Sequence, residues 1–123
     1  MKYMILIYRN PESRAIFEGL SDAERGAGLK LYADLTEELG ASGELVANAA
    51  LADSALGRRV AVRENRTLTT DGPFAEVKEE LAGFYLVDCE TAERAVEIAA
   101  RIPEARLGLV EVLPTMVYDG MDL

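Results

Sequence analysis

The run Thr70-Asp71-Gly72-Pro73-Phe74-Ala75-Glu76-Val77-Lys78-Glu79-Glu80 sets five charged side chains into eleven residues, directly before an apolar segment. A carboxylate close to a lysine can take a proton while the ammonium group stabilises the oxyanion that develops. On that reading Asp71 is the base and Lys78 its electrophilic helper. Tyr8, Phe74, Glu76, Glu79 and Tyr85 then line the substrate pocket. A structural reading competes. Asp71 can hold a turn through its own side chain, Gly72 reaches backbone angles closed to other residues, and Pro73 restricts the residue before it. Phe74 then anchors the corner in the core, and Lys78 forms a solvated ion pair of little energetic weight. Asp71, Glu76, Glu79 and Glu80 lack the regular oxygen-ligand spacing of a calcium loop, so no metal is expected. No glycine-rich phosphate loop, nucleophile elbow or dinucleotide fingerprint occurs, and no cofactor is expected either.

The chain has no histidine among its 123 residues. That removes histidine triads, histidine zinc sites and the commonest general base near neutral pH. Its single cysteine, Cys89, follows an apolar segment between Asp88 and Glu90. A reactive thiol wants basic neighbours, so a buried, inert thiol is expected. The net charge of -9 repels phosphate backbones and anionic lipid, which argues against nucleic-acid and membrane-surface partners. Arg58, Arg59, Arg63 and Arg66 form the densest basic cluster, read as solvated charges on a strand edge. No apolar run approaches the roughly 20 residues of a membrane span, and no signal-peptide pattern opens the chain. A cytoplasmic location is expected.

These residues must be positioned by a small set of elements. Lys2 to Tyr8 predicts a strand with Met4, Leu6 and Tyr8 on one face and Tyr3, Ile5 and Ile7 on the other. Asn10-Pro11 breaks it, with a short helical piece near Arg14 to Leu20. Ser21 and Glu24 form a capping box for a helix running to about Leu39, with Ala27, Leu31, Leu35 and Leu39 in one row and Gly28 and Tyr32 beside it. Gly26 and Gly28 each cost this helix about 1 kcal/mol relative to alanine. They either admit a close backbone or weaken the first turns. Glu44 to Leu51 predicts a strand, and Arg58–Arg63 with Arg66–Thr70 a hairpin around Glu64-Asn65. Leu81 to Cys89 is a second strand apolar on both faces. Thr91 caps a helix that Pro103 ends, Leu107 to Leu113 is the last strand, and 114–123 is a tail.

This order is the split βαβ pattern of an α+β, ferredoxin-like antiparallel sheet with an added hairpin, in one domain over 1–123. Two helices cover one face of such a sheet, yet two strands are apolar on both. A second copy packed face to face would cover the other side, as a homodimer. The alternative is that the hairpin or the tail folds over it.

Met1-Lys2-Tyr3-Met4 with its apolar strand, Thr70-Asp71-Gly72-Pro73-Phe74-Ala75-Glu76 with Lys78-Glu79, and Leu81-Ala82-Gly83-Phe84-Tyr85 together resemble the YCII-related family. They resemble in particular its subgroup named for the Asp-Gly-Pro-Phe (DGPF) motif, from Met1 to about Leu113. The resemblance implies a ferredoxin-like fold that dimerises into an α+β barrel. It also implies kinship with lactone isomerases, monooxygenases and dehalogenating enzymes. The His–Asp pair suggested as catalytic in the wider group cannot be carried over to a chain without histidine, which leaves Asp71 as an acidic member in some other constellation. The subgroup's association with alternative sigma factors implies a regulatory context.

Three functions follow as expectations. The first is a cofactor-free lyase, isomerase or hydrolase-like activity on a small polar or aromatic molecule, carried by Asp71 and Lys78. The second is a dimeric module that binds a small ligand without chemistry. The third is a structural partner for a regulatory protein.

Overall fold

Alternation in β1 (Lys2–Arg9) decides how the sheet is covered. In the computed structural model, which describes residues 1–74, 78–118 and 121–122, Tyr3, Ile5 and Ile7 are buried while Met4, Leu6 and Tyr8 are only half-buried. β5 (Glu80–Asp88) repeats this, with Tyr85 and Val87 buried and Phe84 and Leu86 half-buried. Period-two patterning puts each set on one side of the pleat.

The main sheet has the order β2-β5-β1-β6, where β2 is Leu45–Ala50 and β6 is Val110–Pro114, and every pair in it is antiparallel. This is the ferredoxin-like arrangement. The helices lie on the side of Ile5 and Tyr85. α2 (Asp22–Ser42) contributes Leu35 and Leu39 to the core, and α3 (Ala92–Ala100) contributes Ala95, Ile98 and Ala99. The capping box predicted at Ser21 and Glu24 forms, and Gly43 ends α2 with a left-handed φ of 81°. Thr91 caps α3, accepting from the Arg94 N–H at 3.1 Å. Ala27 and Leu31 depart from the expected row: both are exposed, and Tyr32 packs against the core beside Leu35 and Leu39.

Two elements differ from the sequence reading. The helix expected near Arg14 is α1 (Pro11–Glu18), which starts earlier because Asn10 and Ser13 form their own capping box and Pro11 occupies the first turn. The last strand begins at Val110 instead of Leu107, because Pro103–Leu107 coils into a 3₁₀ turn closed by Gly108 at φ 71°. Within the expected tail, β7 (Val117–Tyr118) and β8 (Met121–Asp122) pair with each other.

The predicted hairpin is β3 (Arg58–Arg63) with β4 (Arg66–Asp71). Its turn residues Glu64 and Asn65 both have positive φ, 50° and 63°, which matches the right-handed twist of the strands. The hairpin forms a separate two-stranded sheet, not an edge of the main one. Val60, Val62 and Leu68 on it are exposed, so its apolar side chains do not cover the open face of the main sheet. That face presents Met4, Leu6 and Tyr8 of β1 beside Phe84 and Leu86 of β5 and Leu113 of β6. No helix among the described residues is long and apolar enough to cross a membrane.

Candidate functional site

The Asp-Gly-Pro-Phe segment is a packed corner. The Gly72 N–H donates to the Gly57 carbonyl at 2.9 Å, and the Gly72–Pro73 bond is cis. A Cβ at Gly72 would sit 2.1 Å from the Ser54 carbonyl oxygen, so only glycine lets the two backbones meet. Phe74 is half-buried and lies outside the core cluster, contrary to the expected anchor. The Arg59 guanidinium covers its ring at 4.2 Å instead. This contact belongs to the hairpin: Arg59 pairs with Thr70 across it, one residue from Asp71.

The charges after the corner do not converge with all their expected partners. Asp71 is 82 % exposed and meets Arg58 at 3.6 Å, its cross-strand neighbour. Lys78 and Glu79 are exposed, and Glu76 lies outside the described residues. Tyr8 and Tyr85, expected as walls of one pocket, occupy opposite faces of the sheet. The Tyr8 hydroxyl donates to Glu111 at 3.0 Å on the open face, whereas the buried Tyr85 hydroxyl meets Thr36 of α2 at 2.8 Å. Burial, then the Glu111 hydrogen bond and the charges of Glu111 and Glu79, raise the Tyr8 pKa. Among the described members of the expected group, the charge of Glu79 acts on Tyr8.

An open cleft of about 690 Å³ lies elsewhere, lined by α1, the first half of α2 and the 3₁₀ turn Pro103–Leu107. Ile16, Phe17, Leu20, Leu29 and Leu107 give it apolar walls. Gly28 lines it too, and a Cβ placed there would meet nothing within 4 Å. No close backbone accounts for this glycine. It leaves the cleft open at a cost of about 1 kcal/mol in helix propensity.

The polar groups of the cleft come from distant parts of the chain. The Tyr32 hydroxyl donates to both Glu104 oxygens, at 2.5 and 2.6 Å. Burial first, and then the Glu104 carboxylate, push the Tyr32 phenol far above the ordinary tyrosine value, so it keeps its proton and remains a donor. At the other end, Arg14 bridges Asp53 and Glu80, each at 2.8 Å. Arg9 donates to the Leu51 and Ala52 carbonyls at 3.0 and 3.1 Å, with its Nε 3.9 Å from Glu80. Burial pushes the Glu80 carboxyl up, but the nearby Ser54 hydroxyl and Arg14 outweigh it and hold the group below its usual range. The Ser54 hydroxyl is buried without a well-formed hydrogen bond of its own, so Arg14 is the firmer cause.

Sequence reading passed over Arg9, Arg14, Tyr32 and Glu104. One signal was available for the first two: Asn10-Pro11 starts a helix as well as ending a strand, and so aims residues on either side into one corner. Tyr32 lies one turn after Gly28, on the face that the glycine clears. Nothing local ties it to Glu104, 72 residues away.

Cys89 has the expected character. It is buried, its Sγ approaches the Thr91 carbonyl at 3.5 Å, and burial raises its pKa. Among the described residues no group of three or more Asp, Glu or Cys side chains is placed to hold a metal ion.

The chain is similar to an uncharacterized protein of Rhizobium meliloti (strain 1021), with 42% identity over 59 residues. That match spans 46% of this chain and 48% of the relative, about half the length of each. The model of the YCII-related domain matches residues 1–118, nearly the whole chain, and the chain belongs to the YCII-related family.

Proposed function

We propose that the protein is a homodimeric small-molecule-binding module whose ligand lies in the cleft between α1 and α2. The observation that carries this reading is the cleft itself: about 690 Å³, apolar walls, and the Tyr32–Glu104 pair among its lining groups. A few convergent polar groups in an apolar concavity are what a ligand site requires. Gly28 gives the test. Gly28→Leu is expected to preserve or raise the melting temperature, because leucine favours the helix and its Cβ enters open space. The same substitution fills the cleft, so compounds that shift the melting point of the wild type should no longer do so. If the variant responds to the same compounds as the wild type, the ligand does not lie here.

The dimer is proposed from the open face of the sheet, where Met4, Leu6, Phe84 and Leu86 form an apolar surface without a helix over it. Leu6→Arg should turn a dimer into a monomer by light scattering at micromolar concentration. A wild type that is already monomeric would refute this part of the proposal.

The Tyr32–Glu104 pair favours a second reading, cofactor-free proton transfer. A carboxylate can take a proton from the bound molecule while a neutral phenol donates to the charge that develops. Conversion of a bound compound by the wild type and its loss in Glu104→Gln would replace the binding role with catalysis. The motif corner lends catalysis little support, since Asp71 stands in water against Arg58.

A further inference from the structure

We infer that the molecule held in the α1–α2 cleft presents a hydrogen-bond donor, a hydroxyl or ammonium group, to Glu104. The inference rests on the cleft being the binding site, as proposed above. It follows from the acceptor capacity and the charge that Glu104 brings to the cleft.

The donors are partly committed. Arg14 places one nitrogen on Asp53 and another on Glu80. Arg9 is directed at two backbone carbonyls, and its buried Nε makes no hydrogen bond. Arg25 closes the end of α1, donating to the Phe17 carbonyl at 3.2 and 3.3 Å and to the Glu18 carbonyl at 3.2 Å, with its guanidinium over the Phe17 ring. The Ser13 hydroxyl is held in the capping box of α1. These sets leave guanidinium N–H groups over, the buried Arg9 Nε among them, so the arginines by themselves do not decide the charge of the ligand.

The acceptors differ from one another. Glu24 is tied to its own helix cap through the Ser21 N–H. Glu104 receives a single proton, from Tyr32, shared between its two oxygens. An ionised carboxylate offers roughly four acceptor sites, and a phenol oxygen can accept as well as donate. A hydroxyl or ammonium group beside Glu104 would therefore add a charge-assisted hydrogen bond without displacing a protein contact. Like-charge repulsion from Glu104 would turn a carboxylate or phosphate head away. Ile16, Phe17, Leu29 and Leu107 would take an apolar body, so the ligand class is an amphipathic alcohol, phenol or amine.

Four probes that share one apolar body test this: para-propylphenol, para-propylbenzylamine, para-propylbenzoate and propylbenzene. Their affinities would be measured by titration NMR at neutral pH on the full chain and on Glu104→Gln and Gly28→Leu. The phenol and the amine should bind the wild type about tenfold or more tightly than the benzoate, the factor expected from one charge-assisted hydrogen bond. Glu104→Gln, which keeps the side-chain shape but removes the charge, should shrink that ratio at least several-fold. Gly28→Leu should weaken every probe. If the benzoate binds as tightly as the phenol and the amine, or if Glu104→Gln leaves the ratio unchanged, the donor inference fails while the cleft remains a binding site. If no probe binds the wild type, or Gly28→Leu changes none of the affinities, the cleft reading fails and the inference falls with it.

Discussion

The motif corner and the α1–α2 cleft differ in how their charges are held. At the corner, five charged residues crowd one stretch of sequence; Asp71, Lys78 and Glu79 stand in water, while Glu80 at its end turns inward to Arg14. Arg58 and Asp71 are 73 % and 82 % exposed and 3.6 Å apart. In the cleft the polar groups are few and far apart in sequence, yet each is gripped: Tyr32 by Glu104, Arg14 by Asp53 and Glu80. A dense local cluster mostly meets solvent, which supplies its hydrogen bonds and screens its charges. Groups drawn together across the fold lose that solvent and must satisfy one another, which is what fixes a site.

The comparison can be broken most strongly at Gly72. Gly72→Ala drives a methyl group into the Ser54 carbonyl, so it should lower stability by about 3 kcal/mol in denaturant unfolding. Full stability in this variant would mean that the corner is not the structural joint described above. Acid titration separates the two kinds of charge at smaller amplitude. Arg94 clamps Glu44 through two bonds of 2.9 Å, and holds its carboxyl at about 2 against an ordinary 4.5, while burial opposes and the Ser42 hydroxyl assists. The folded value is depressed, so this contribution is complete above about pH 4.5 and disappears as pH falls towards 2. Because Arg94 is 38 % exposed, about 1 kcal/mol is expected after screening. Glu44→Gln should remove that part of the acid slope. An unchanged slope in Glu44→Gln would place the acid sensitivity elsewhere. The smallest effect is at Asp71. Asp71→Asn should change stability by less than about 0.5 kcal/mol and leave probe binding in the cleft unaltered. A large loss of binding would return the motif to the centre of the function.

Much of the framework was legible because it rests on local rules. Two-faced alternation placed Ile5 and Val87 in the core and left Leu6 and Leu86 on the opposite side. The Ser21–Glu24 box, the Thr91 cap and the Glu64-Asn65 turn each use residues within a few positions of one another, so their chemistry is written in sequence order. Phe74 shows where such reading stops. An aromatic after a turn suggests a core anchor, but its cover is Arg59 from the hairpin, a partner fixed by tertiary geometry. Tyr8 and Tyr85 failed as a pair for a related reason. The register sets Tyr85 opposite Ile5 on the core face while Tyr8 lies with Met4 and Leu6 on the other, so the two hydroxyls find partners on opposite sides of the sheet.

Sequence alone thus determined the ferredoxin-like order of elements, the two apolar faces of β1 and β5, the hairpin and the glycine-dependent corner. Periodicity, capping and turn chemistry act over a few residues, and so they survive without knowledge of what packs on what. The tertiary structure decided that the hairpin stands apart from the main sheet and that the cleft opens beside Gly28. It also decided that Tyr32 meets Glu104 and that Arg14 joins Asp53 to Glu80. Those pairings depend on the relative placement of whole helices and loops, which burial of the shared core sets and no spacing along the chain encodes.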